Sequence, residues 1–204
     1  MPEPIRFYLD FASPYAYCAL PGIEKIAAEH GRELEWRPIL VWALLKAQNI
    51  PPPMESPTRA RYFLTDMARS AAFHALPYRH PSKFPISAHR AARLYQAVAQ
   101  SDPAKARAFG KAALTAFFTR DEDISDAEVL IALAAKEGIE AGAAREAMDG
   151  PLGRERLAAA IDAAVADGVT GSPFFIIDGE PFFGADRLPQ IAWRLSQGAA
   201  TTAA

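Results

Sequence analysis

Apolar and polar residues mix at short range near the two ends of the chain and recur at helical spacing through its middle. Residues 5–10 form a short apolar run bounded by Pro4 and by the dipeptide Ser13–Pro14, which predicts a strand. In the following stretch, 14–30, Tyr15, Ala19, Ile23, Ile26 and Ala27 lie at near-helical spacing, and Gly31 supplies a natural stop. Pro21 and Gly22 interrupt that pattern and predict a kink or short break. Residues 34–39 alternate as a half-buried strand, completing a strand–helix–strand unit whose connection implies parallel strands.

Between residues 41 and 168 no strand pattern stands out. Ala-rich helical patterns follow one another there, separated by the proline cluster 51–53, by Pro77, Pro81 and Pro85, by Asp102–Pro103, and by Gly138 and Gly150–Pro151. Ser125 with Glu128 predicts a capping box for the helix that follows. A strand at 174–177, a tight Asp178–Gly179 turn, a strand at 181–183 and a last helix over 186–195 close the pattern. Residues 198–204 are expected to fray.

Composition narrows the classes available. A chain of 204 residues, half of them hydrophobic and 23% charged, can bury a full core and suits a soluble globular protein. A net charge of −2 gives no electrostatic footprint for nucleic acid or an anionic membrane. No apolar stretch approaches the roughly 18 residues of a membrane span. Glu3, Arg6 and Asp10 break any signal-peptide pattern at the N-terminus. The single Cys18 excludes an internal disulfide and a cysteine metal cluster, and the four histidines lack metal-ligand spacing, so no metal is expected. These features together predict a reducing, cytoplasmic setting, where a small thiol cofactor is available. Cys18 itself reads as a small buried apolar residue. Trp36, Trp42 and Trp193 read as core residues, with Trp42 and Tyr62 also as candidate pocket walls. Arg59, Arg61, Arg69, Arg79, Arg90 and Arg93 make the central region arginine-rich, and some could face an anionic substrate.

The chemistry concentrates at two places. The first strand delivers Ser13 to the start of a helix, and Gly171–Ser172–Pro173 leads into the third strand. This is the skeleton of a thioredoxin-type site with serine where a reactive cysteine would stand. The protein would then have to borrow a thiol, and glutathione is the obvious source. A free thiol has a pKa of about 8.5, so readiness near neutrality needs a shift worth roughly 2 kcal/mol. A hydroxyl hydrogen bond to a thiolate contributes about 1.5–3 kcal/mol, and a helix N-terminus about 0.3–1 kcal/mol. Ser13 therefore suffices without lysine or histidine. Taken alone, Ser13–Pro14 equally fits an N-cap followed by proline at N1, and Ser172–Pro173 fits an ordinary strand start. A cis Ser172–Pro173 bond would open the preceding backbone to pair with a peptide ligand. Ala16 stands where a second cysteine would complete C-x-x-C, which argues against a disulfide oxidoreductase.

In combination, Asp10–Phe11–Ala12–Ser13–Pro14–Tyr15, Asn49–Ile50–Pro51, Phe84–Pro85 and the run 171–188, with its Gly184–Ala185–Asp186–Arg187–Leu188 element, resemble the 2-hydroxychromene-2-carboxylate isomerase family. That family is kin to kappa-class glutathione transferases and, more distantly, to DsbA-type oxidoreductases, and the resemblance runs along essentially the whole chain. It implies an α/β fold: a thioredoxin-like domain (βαβ…ββα) at 1–40 and 169–204, carrying a large all-helical insertion at 41–168. It implies glutathione as cofactor, held at its sulfur by Ser13. Asn49, Thr170, Gly171, Ser172 and Pro173 would contact the tripeptide, and Asp186 and Arg187 would take its γ-glutamyl end. Tyr15, Trp42, Tyr62 and Phe84 would wall the substrate pocket. The implied activity interconverts 2-hydroxychromene-2-carboxylate, or a related aromatic carboxylate, with trans-o-hydroxybenzylidenepyruvate in aromatic-hydrocarbon breakdown. A kappa-like transferase and a non-catalytic thioredoxin-fold binding protein are the alternatives, and a homodimer is the implied assembly. Ser172 departs from the larger or β-branched residue common before this proline, which alters packing but not the main chain.

Overall fold

The computed structural model describes residues 2–197, so the expected fraying of 198–204 lies outside it. Four strands form one mixed sheet in the order β2-β1-β3-β4: β1 (Ile5–Leu9), β2 (Leu34–Pro38), β3 (Phe174–Ile177) and β4 (Glu180–Phe183). β1 runs parallel to β2 through the crossover helix α1 (Pro14–Glu29), and β3 lies antiparallel to both β1 and β4. The two central strands are almost entirely buried, which is why they read as continuous apolar runs.

Side-chain alternation sends successive residues to opposite faces. On one face Phe7 stacks on Phe175 at 5.1 Å and meets the edge of Trp36 at 5.8 Å. Those rings join a core with Ile23 of α1, Phe109 and Phe117 of α5 (Pro103–Arg120), and Ile191 of α9 (Leu188–Ser196). On the other face Tyr8, Phe174 and Ile176 pack with Leu44 of α2 (Val41–Ala47) and Ala164 of α8 (Pro151–Ala166). Gly110 on α5 permits the first packing: a Cβ there would lie 2.9 Å from the Trp36 ring and 3.2 Å from Phe11.

Between β2 and β3 the regular elements of the described chain are all helices, joined by irregular segments such as 74–88: α2, α3 (Pro57–Phe73), α4 (His89–Ala99), α5, α6 (Ala127–Lys136), α7 (Ala141–Asp149) and α8. This is the thioredoxin-like architecture with its helical insertion. The main core continues from the sheet into α6 and α7 through Leu130, Leu133 and Met148. We propose the division 1–40 with 169–204 against 41–168 as the domain arrangement.

Three local expectations are corrected. Helix α1 runs through Pro21 without the expected break; proline there removes the bond to the Tyr17 carbonyl, and the buried face on both sides holds the helix together. Helix α6 is capped by Asp126, whose carboxylate accepts from the Glu128 N–H at 2.8 Å. Ser125 instead donates to Asp123 at 2.6 Å, so the Ser125–Glu128 box does not form. Trp193 is 63% exposed and no core residue, because α9 turns Leu188 and Ile191 inward instead.

Candidate active site

Ser13 caps α1 with Pro14 at N1, and its hydroxyl is nearly buried, at 9% exposure. Its Oγ accepts from the Ala16 N–H at 3.2 Å and donates to the Ser172 carbonyl at 3.0 Å. Pro14 has no N–H and Ala16's is used, so the Tyr15 N–H is the open donor of the first turn among the described residues. No acidic side chain occupies that turn, so the positive end of the helix is not offset locally. The Ser172–Pro173 bond is cis, as is Phe84–Pro85. The Ser172 hydroxyl in turn accepts from the Asp10 N–H at 2.8 Å.

Asp10 ties these pieces together. It is 3% exposed, and its two oxygens accept from the Ala12 and Val41 N–H groups, each at 2.9 Å. One carboxylate thus fixes both the turn that presents Ser13 and the start of α2. Burial pushes its pKa up to about 6, against the opposing pull of those two hydrogen bonds.

Two concavities meet beside Ser13. One, of about 360 Å³, is chiefly apolar and is lined by Ser13, Trp42, Phe63, Met67, Phe84 and Phe183 among others. The second, of about 620 Å³, is charged at its margins, where Asp66, Arg69, Asp186 and Arg187 lie. Tyr15, Phe63, Ser172 and Phe183 line both. Tyr15 donates to Asp66 at 2.7 Å, and Asp66 also pairs with Arg69. Burial and that carboxylate push the Tyr15 phenol up, keeping it protonated. For Asp66, burial pushes the pKa up, but the bonds from Arg69 and Tyr15 outweigh it and hold the carboxylate ionised.

The residues singled out in the sequence divide as follows. Ser13, Tyr15, Trp42, Phe84, Thr170, Gly171 and Ser172 line the apolar cavity. Pro173, Asp186 and Arg187 line the charged groove, where the last two pair with each other at 3.0 Å. Asn49 does not reach either; it lies exposed just beyond the Gln48 cap of α2, in left-handed backbone at φ 57°, while Ile50 and Pro51 beside it line the cavity. Tyr62 is 59% exposed and lines neither concavity, its hydroxyl donating to Asp66 at 3.4 Å, and its neighbour Phe63 takes the pocket position. Phe63 and Met67, four apart, form one stripe of α3, a helical phase that marks 63 rather than 62. Phe183 was also missed; it ends β4 on the face opposite the buried Phe182. Cys18 is buried, and burial pushes its thiol up to about 12, so it is no rival nucleophile. Among the described residues no group of His, Cys, Asp and Glu is placed to hold a metal ion, and no helix is long and apolar enough to cross a membrane.

Residues 4–196 match the family model of the DsbA-like thioredoxin domain. The chain belongs to the DsbA-like thioredoxin family. Within it, the chain is 32% identical over 190 residues to a 2-hydroxychromene-2-carboxylate isomerase from Sphingobium xenophagum, covering 92% of this chain and 95% of that one. It is 23% identical to glutathione S-transferase kappa 1 of Rattus norvegicus, covering 96% and 92% respectively. A solved 2-hydroxychromene-2-carboxylate isomerase superposes with a TM-score of 0.84 at 22% identity, over 95% of this chain and 94% of that one. This DsbA-like protein therefore sits among isomerase and kappa-transferase relatives.

Proposed function

We propose that this DsbA-like protein is a glutathione-dependent isomerase acting on 2-hydroxychromene-2-carboxylate or a related aromatic carboxylate. The observation that carries the reading is the Ser13 hydroxyl at the N-terminus of α1, against the Ser172 carbonyl, where the apolar cavity meets the charged groove. Glutathione would lie along the groove, its α-ammonium on Asp186, a carboxylate on Arg187 and its sulfur beside Ser13. On binding, the Ser13 proton turns from the Ser172 carbonyl to the sulfur. That donor and the helix end favour the thiolate by about 2–4 kcal/mol, enough to match the roughly 2 kcal/mol that neutrality requires.

The substrate's hemiketal ring opens first: its ring C–O bond breaks, the 2-hydroxyl becomes the ketone, and its proton passes to the phenol oxygen. The thiolate then adds to the conjugated carbon, converting the double bond into a rotatable single bond and leaving an enolate. Rotation and loss of the same thiolate restore the double bond in the other geometry, with no net oxidation. This is covalent catalysis by a borrowed nucleophile. The reducing setting it needs agrees with a cytoplasmic protein.

A kappa-like transferase would instead retain the thioether. Incubation with 2-hydroxychromene-2-carboxylate and trace glutathione separates the two. The isomerase reading expects many turnovers to trans-o-hydroxybenzylidenepyruvate per glutathione, which chromatography recovers unchanged. Stoichiometric loss of glutathione into an adduct, or isomerisation equally fast without it, would overturn the reading.

A further inference from the structure

One cation stands exposed at the edge of the apolar cavity, outside any ion pair among the described residues. Among the described residues lining it, Arg59 is the only lysine or arginine, and the only acid is Asp10, already committed to two backbone N–H groups. Arg59 occupies the third position of α3, where its own N–H is capped by Ser56 at 3.4 Å. A cation in the first turn of a helix opposes the macrodipole, which favours anions there. No acidic side chain offsets it in that turn, and among the described residues its guanidinium has no ion-pair partner.

The contrast with comparable positions is direct. Lys105, at the third position of α5, pairs with the capping Asp102 at 3.7 Å. Arg69, at the groove margin, pairs with Asp66 at 2.5 Å. At Arg59 helix end and guanidinium add to one positive field beside an apolar chamber. A planar guanidinium suits a carboxylate, which it can engage through two parallel hydrogen bonds.

We infer that Arg59 is the residue that selects the substrate's carboxylate, and that the cavity takes a monoanionic aromatic acid. Its ring would lie among Trp42, Phe63 and Phe84, and its carboxylate on Arg59. This rests on the reading of the cavity as the substrate chamber. It gives the pocket one charged fixed point, so that the rest of the ligand is held by apolar contact and is free to present its conjugated carbon to the thiol.

The test compares coumarin-3-carboxylate with the uncharged coumarin-3-carboxamide by calorimetry, with and without saturating glutathione. The wild type is expected to prefer the carboxylate by about tenfold or more, the ratio a charge-assisted hydrogen bond gives. Arg59→Gln should abolish that preference while binding the carboxamide and glutathione as the wild type does. Arg59→Lys should retain part of it. Thermal unfolding is the fold control, since removing a cation from a first turn should leave the midpoint unchanged or raise it. A wild type without the preference, or a preference that survives Arg59→Gln, would overturn the assignment. So would a loss of glutathione affinity in Arg59→Gln with the preference intact, which would give Arg59 to the cofactor. Absence of glutathione binding in the wild type would instead sink the isomerase reading, leaving the carboxylate comparison to stand by itself.

Discussion

Ser13→Ala is expected to lower glutathione-dependent turnover by about 10²- to 10³-fold, the loss typical when one preorganised donor to a reacting anion is removed. The hydroxyl's two hydrogen bonds, to Ala16 and Ser172, are its only recorded structural ties. Loss of the cap should cost about 0.5–2 kcal/mol of stability, well short of unfolding a protein of this size. Steady-state kinetics beside a denaturant titration separates the two effects. Loss of activity without loss of fold supports the role. A folded, fully active Ser13→Ala protein would refute it. With oxidised glutathione present, Ser13→Cys should also fail as an isomerase, since the cysteine thiolate displaces one glutathione from that disulfide and keeps the other as a mixed disulfide.

The largest effect on stability is expected at Asp10. Asp10→Ala leaves the N–H groups of Ala12 and Val41 buried without acceptors, at about 1–3 kcal/mol each. Relief of the buried charge offsets part of this, so a net loss of about 2–4 kcal/mol is expected. The pH dependence has a definite sign. The carboxyl titrates near 3.8 when exposed and is pushed up to about 6 by burial in the fold. Its contribution to stability is therefore full below about pH 4 and falls away as pH rises through about 6, by roughly 3 kcal/mol in all. Asp10→Asn should remove that slope. The check is the difference in unfolding free energy between wild type and Asp10→Asn across this window. A flat difference would show that Asp10 is not the buried acid described.

Much of this was readable because it is local. Strand, turn and helix around Ser13 follow from a short apolar run, a serine–proline pair and helical spacing. The Asp178–Gly179 turn likewise fixes β3 and β4 as a hairpin. What eluded the sequence depends on distant partners or on exact helical phase. Tyr62 and Phe63 are adjacent aromatics, and only the facing residues decide that Phe63 enters the pocket. The link from Asp10 to Val41 spans thirty-one positions and involves a backbone N–H, which leaves no compositional mark. The Tyr15–Asp66–Arg69 chain joins α1 to α3, two helices whose pairing no local pattern encodes. Trp193 was misjudged because a large ring suggests burial, whereas its helix was already satisfied by Leu188 and Ile191.

The central claim is that Ser13 holds a borrowed thiolate, and the direct measurement is the titration of enzyme-bound glutathione. Its ultraviolet thiolate absorbance would be followed against pH, in the wild type and in Ser13→Ala. The bound thiol is expected to ionise near or below pH 7, about 1.5 pH units under the free value, and to return toward about 8.5 in the variant. A wild type that binds no glutathione, or a bound thiol that titrates alike in both proteins, would contradict it.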